Sequence, residues 1–158
     1  MRADGSSGRI RHRYEGGIFT FSIKWAGKLK FKVEFDTGHE LHMDEPPHHP
    51  LSEGAGVNAT RLLAASIAGC LIASLAYCLM IHRVEIEDIS AEVSGTVARN
   101  EEGFLRVKEV NVTLRPRIKE KYRHKLERCI GIFEKYCTVT ESVRAGIPVR
   151  VQVDPLLD

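Results

Sequence analysis

Phe19, Phe21, Ile23 and Trp25 alternate with Thr20, Ser22 and Lys24, the two-residue period of a strand buried on one face. Ala26-Gly27 supplies a turn, and Leu29, Phe31, Val33 and Phe35 then alternate again, which predicts a β-hairpin. Asp36-Thr37-Gly38 closes it, and a short third strand is expected at 40–43. The run "DEPPHHPLSEGAG" holds three prolines and two glycines and reads as a loop. Asn58 or Thr60 then suits the N-cap of a helix ending near His82-Arg83, whose basic side chains favour a C-terminus. Ile89, Ala91, Val93, Gly95 and Val97 predict a strand, with a turn at 100–103 and a return strand at 105–114. Lys108-Glu109 interrupts the alternation there and points to a bulge. Pro116 is expected to end that strand. From Arg117 the period turns helical, placing Tyr122, Leu126, Cys129, Ile130, Phe133 and Cys137 on one face of an amphipathic helix. Gly146 stops it, and Ile147, Val149, Val151 and Val153 predict a closing strand. Hairpins in place of βαβ crossovers make the class α+β.

The central helix poses the main question. From Leu62 to Ile81, twenty residues carry no formal charge, long enough to cross a bilayer. Three readings compete: a membrane span, a buried structural helix, and a helix carrying a reactive thiol into an interior. Its Ala, Ser, Gly and Cys content keeps its hydrophobicity per residue modest, and the flanking strands must pack on something. A helix apolar all round is otherwise a central one. With a single further helix expected in so small a chain, a buried spine covered by a second copy of the chain is favoured.

Composition narrows the class. At 158 residues, 43% hydrophobic and 28% charged, the chain is an ordinary globular domain with room for a core. A net charge of +2 argues neither for nucleic acid nor for an anionic membrane. Residues 1–16 are polar and Gly/Ser-rich, read as a flexible leader without a secretory signal, and 17–158 as one domain. A cytoplasmic location is expected. "HELHMDEPPHH" offers His39, His42, His48 and His49 beside Asp44 and Glu45, but its prolines splay the loop, and solvated histidines are the favoured reading. No cofactor or metal is expected.

Four cysteines fall into two pairs of equal spacing, Cys70/Cys78 and Cys129/Cys137. Eight residues of helix set two side chains about 80° and about 12 Å apart, so neither pair closes a disulfide within its own helix; any bridge must run between helices. Cys78 and Cys129 are read as small core hydrophobes.

"NATRLLAASIAGCLIASL" resembles the central helix of the OsmC/Ohr superfamily, the osmotically inducible and organic-hydroperoxide-resistance proteins. "EKYCTVTESVRAGIPVRVQV" resembles the second cysteine motif of the same family. The likeness covers the chain from about Phe19 onward. It implies an OsmC-like fold: antiparallel hairpins around a long buried helix, with a second amphipathic helix, in an intertwined homodimer. It implies further that Cys70 and Cys137 are the catalytic pair. Cys70 would attack a hydroperoxide and become a sulfenic acid. Cys137 would resolve it to a Cys70–Cys137 disulfide, reopened by an external dithiol or lipoyl-type reductant. In the family's peroxidases an Arg activates the first cysteine, held by a Glu shortly after the helix start. Thr60 stands at that Glu position here, so the activating group is open, with His48, His49 and Arg13 as candidates. Cys70 lies about ten residues into its helix, beyond the reach of that helix's own dipole, so a side chain is expected to activate it.

The reading is therefore an organic hydroperoxide reductase, a thiol peroxidase of the oxidative stress response. The alternative is a non-catalytic or redox-sensing module of the same fold, binding a small apolar ligand. Neither nucleic acid nor membrane is expected as a partner.

Overall fold

The computed structural model describes residues 16–156. Arg13 and nearly all of the expected leader lie outside the described residues. The chain divides into two compact units between Leu62 and Leu63.

In the first unit, β1 (Ser22–Trp25), β2 (Phe31–Glu34) and β3 (Glu40–Met43) form an antiparallel sheet in that order. Val33 of the central strand pairs with Ile23 on one side and Leu41 on the other, and its side chain is buried. The turn after β1 uses Gly27 and Lys28 at positive φ, and the Trp25 indole Nε1 donates to the Lys28 carbonyl at 2.7 Å. The Pro-rich loop is organised by Asp44, whose buried carboxylate accepts from the N–H groups of Glu45, Glu53 and Ala55. Gly56 then passes against the end of β3 so closely that a Cβ there would lie 2.3 Å from the His42 carbonyl oxygen.

The helix α1 (Ala59–Ile81) starts in the first unit and continues into the second. Of the two expected caps Asn58 is the one used: its Oδ1 accepts from the Arg61 N–H at 3.2 Å, satisfying an otherwise orphaned donor. At the other end Arg83 takes a positive φ and Val84 N–H donates back to the Leu79 carbonyl, closing the helix as a glycine would.

In the second unit, β4 (Ile86–Arg99) and β5 (Leu105–Ile118) form a long antiparallel ribbon. Thr96 pairs with Glu109 and Val97 with Val107, leaving Lys108 as the extra residue, so the expected bulge is present. Pro116 does not end β5; it pairs opposite Ile89. A residue without an N–H is tolerated because β5 has a strand partner on one edge only among the described residues.

The second helical region corrects the sequence reading. Instead of one amphipathic helix there are two short ones, α2 (Arg123–Ile130) and α3 (Thr138–Ala145), joined through a 3₁₀ turn at Phe133–Tyr136. Gly131 follows α2, and Cys137 adopts extended backbone before α3. Cys129, Phe133 and Cys137 are buried as expected, whereas Ile130 is exposed, because the break resets the face. The closing strand expected at 147–153 has no strand partner among the described residues, and Val149, Val151 and Val153 are largely exposed. A strand needs a ladder to sit in, and this segment finds none within the described chain.

One face of α1 lies in the core: Ile67, Leu71, Leu75, Cys78 and Leu79 cluster with Val84, Cys129, Phe133 and Cys137. The rest of α1 is less covered within the described chain, and the sequence reading assigned complete covering to a second copy. Only a third of its most apolar window, of mean hydropathy 2.1, is buried, and Leu63, Met80 and Ile81 remain exposed. Among the described residues α1 is the single helix long and apolar enough to cross a membrane.

Candidate functional site

The two segments that carry cysteines run past each other in opposite directions. Cys70 of α1 meets Cys137, and eight residues further along α1 Cys78 meets Cys129. This second pair is a disulfide, its Cα atoms 5.8 Å apart and both residues in the core. Cys78 and Cys129 are expected from the sequence as small core hydrophobes; burial holds, and in addition antiparallel packing of α1 and α2 brings the sulfurs together as a disulfide between helices.

Cys70 and Cys137 are free thiols, hydrogen-bonded to each other. Cys137 is fully buried and Cys70 half-buried, so Cys70 is the sulfur that solvent can reach. The first turn of α3 serves both. The Val139 N–H donates to Cys70, the Thr140 N–H donates to Cys137, and Ser74 hydrogen-bonds to each sulfur. The Thr140 hydroxyl lies 3.0 Å from the Cys137 Sγ. Unpaired N–H groups at a helix start carry partial positive charge and favour a thiolate.

The two sulfurs titrate as a unit, and the asymmetry between them has a plain cause. Burial pushes the Cys70 thiol up, and its hydrogen bond to Cys137 adds to this, outweighing Val139 and Ser74. Burial also opposes ionisation of Cys137, but hydrogen bonds from Cys70, the Thr140 hydroxyl and N–H, and Ser74 outweigh it and hold that thiol below its ordinary value. Of the two sulfurs, Cys137 is therefore the more readily ionised and Cys70 the less.

A cleft of about 410 Å³ borders the pair through Thr140. Ile67 and Leu71, which flank Cys70 along α1, line it with Val110, Val112 and Phe133. Arg144 lines it too, its guanidinium held by Glu134 at 2.9 Å and Glu141 at 2.6 Å. Lys108, Glu109 and Glu134 complete the charged part of its wall, so the cleft offers a small organic molecule an apolar side and a polar one.

The expected accessory residues are placed as follows. Thr60 sits in the first turn of α1 and accepts a hydrogen bond from Asn58 Nδ2 at 3.0 Å; ten residues, about 15 Å of helix rise, separate it from Cys70. His48 and His49 lie in the loop of the first unit, where the His49 Nδ1 accepts from the Leu51 N–H. Among the described residues the loop histidines and acids form no three-ligand cluster. Sequence reading sought a side chain to activate Cys70 and missed the backbone of α3, Ser74, Thr140 and Arg144. A partial signal was present: Ser74 is one turn from Cys70, and Cys-Thr-Val-Thr has the spacing of a capping residue and its third helical position.

The family model described as OsmC-like protein matches residues 52–152. Comparison with curated proteins finds no match. Among solved structures, an OsmC-like protein of Mycoplasma pneumoniae is similar with a TM-score of 0.69 at 14% identity, over 82% of this chain and 89% of that one. An OsmC-like protein of unknown function from Vibrio cholerae gives a TM-score of 0.65 at 19% identity, over 80% and 94%. The organic hydroperoxide resistance protein OhrB of Bacillus subtilis gives 0.55 at 22% identity, over 80% and 91%. At these identities the likeness is one of fold.

Proposed function

Because this chain belongs to the OsmC-like protein family, whose fold it shares with an organic hydroperoxide resistance protein, we propose that it is a thiol peroxidase reducing organic hydroperoxides. The observation that carries this reading is the hydrogen-bonded pair Cys70–Cys137 on the first turn of α3, beside a cleft with an apolar side. Cys137, hydrogen-bonded to Cys70, serves as the base that takes its proton, and the Cys70 thiolate attacks the hydroxyl oxygen of the hydroperoxide. The O–O bond breaks to leave a Cys70 sulfenic acid and an alkoxide, which takes the proton back from Cys137 as the alcohol departs. The restored Cys137 thiolate attacks the sulfenic sulfur, forming the Cys70–Cys137 disulfide and expelling hydroxide. A dithiol or lipoyl-type reductant reopens it by exchange. An organic tail gains from burial against Ile67, Leu71 and Phe133, which favours alkyl over hydrogen peroxide. Arg144, fixed by two carboxylates on the cleft wall, is the cation assigned to the developing alkoxide.

The reading includes a cytoplasmic homodimer, in which a second copy covers the exposed face of α1. A second reading rests on the upward push on the Cys70 thiol: a redox-sensing module of the same fold, oxidised without efficient turnover. Reduced protein mixed with equimolar cumene hydroperoxide separates the two. The enzyme yields a product two hydrogens lighter, linked Cys70 to Cys137, with rapid dithiol-dependent consumption of peroxide. Consumption no faster than that of Cys70→Ser sinks the peroxidase.

A further inference from the structure

The Cys78–Cys129 pair has a third companion that the proposed reaction does not use. One turn beyond Cys78, the imidazole of His82 lies with its ligand nitrogen and both sulfurs within 4.8 Å of one another. Neither ring nitrogen of His82 makes a hydrogen bond to a described residue. Its carbonyl, by contrast, is tied down, accepting from the Lys125 Nζ at 2.7 Å. The site is therefore built from two helical i,i+4 pairs facing each other: Cys78 and His82 from α1 and its end, Lys125 and Cys129 from α2. Cys78 and Cys129 are buried and His82 half-buried, so one side of the cluster is open to solvent.

We propose that, once its disulfide is reduced, the Cys78–His82–Cys129 cluster binds a thiophilic d¹⁰ cation of the Zn²⁺ class, with the fourth position open. The donor set suits that cation, since two thiolates and one imidazole with a free position is an established zinc arrangement. Two Zn–S bonds of about 2.3 Å at a tetrahedral angle place the sulfurs about 3.8 Å apart. Bonded sulfurs are too close to chelate one ion, so the disulfide and the metal exclude each other. The exchange balances: a dithiol reduces the disulfide to two thiols and is itself oxidised to a disulfide, and metal binding then releases the two thiol protons. Lys125, anchored beside His82, supplies positive charge that favours the thiolates. Oxidation of the pair would expel the metal, making the cluster a redox-gated metal site. It lies about 12 Å along α1 from the Cys70–Cys137 pair, too far for direct thiol exchange between the two.

The test is a Co²⁺ titration of the full chain reduced with a phosphine, in wild type and in a Cys70→Ser/Cys137→Ser background that isolates the cluster. The expected result is one equivalent of Co²⁺ with a thiolate-to-cobalt charge-transfer band in the near ultraviolet, displaced by Zn²⁺. The band is absent from oxidised protein and from Cys129→Ser, and His82→Ala weakens binding at least about tenfold. A band that requires Cys70 or Cys137, or no band in the reduced double-serine background, overturns the proposal. So does an affinity untouched by His82→Ala, a variant that leaves both core cysteines in place.

Discussion

The Cys137 sulfur lies 3.0 Å from the Thr140 hydroxyl, across the first turn of the helix that Cys137 itself begins. That contact, with the Thr140 N–H, helps hold the Cys137 thiol below its ordinary pKa. Thr140→Val keeps the shape and removes the hydroxyl. A hydrogen bond worth about 1 kcal/mol predicts a thiolate-to-thiol ratio about fivefold lower at a given pH, with the titration midpoint moved upward. Ultraviolet absorbance of the thiolate titrated against pH in a Cys70→Ser background, where Cys137 is the remaining free cysteine, reads both.

Arg144 is, with Lys108, one of two cations of the cleft wall among the described residues, and its side chain is held by carboxylates. Arg144→Ala is expected to lower kcat/KM for cumene hydroperoxide by about tenfold or more, while melting changes little, because exposed ion pairs contribute little to stability. Equal turnover by the variant would remove Arg144 from the reaction.

The Cys78–Cys129 disulfide closes a loop of 51 residues, for which chain entropy gives about 4 kcal/mol of stabilisation. Urea unfolding of the Cys70→Ser/Cys137→Ser protein with and without a dithiol isolates this bridge. The midpoint falls on reduction, and an unchanged midpoint would mean that the bridge contributes nothing.

Asp44 contributes to the acid limb of stability. Its carboxylate accepts from Ala55, Glu53 and Glu45, and these hydrogen bonds outweigh burial and hold its pKa below the ordinary carboxylate value. A depressed folded-state pKa stabilises the fold above the unfolded-state value, and that contribution is lost as pH falls through the folded-state value. Tm measured from pH 7 downward therefore drops on acidification in wild type. In Asp44→Asn it starts lower and declines less, since Asn keeps one acceptor but no charge.

Gly56 has no room for a side chain, because a Cβ would meet the His42 carbonyl of β3. Gly56→Ala is predicted to cost about 1–3 kcal/mol, read as a lower urea midpoint with the cysteine chemistry of the second unit retained.

Patterns confined to one element were legible along the chain. The alternation of Phe31, Val33 and Phe35, the Asn58 cap and the disrupted period at Lys108 each report on neighbours a few residues away, and each has its counterpart in the fold. Longer-range features were not. Pro116 stays in β5 because of which edge of the ribbon it occupies, and the second helix breaks where Cys137 leaves helical geometry to begin α3. Neither is visible in a run of apolar and polar letters.

The cysteines divide in the same way. Local spacing alone excluded bridges within a helix, and motif likeness singled out Cys70 and Cys137. Activation was sought in a side chain because Cys70 is remote from the start of its own helix. Only the packing of α1 against a second segment running the other way presents the free N–H groups of α3 to both sulfurs, and the same antiparallel register joins Cys78 to Cys129. Within an unbroken helix, sequence determines which residues share a face, since that depends on a fixed rise and turn per residue. Which faces meet, and therefore which thiols are paired, ionised or bridged, is decided by tertiary packing, because contacts between distant segments have no period in the chain.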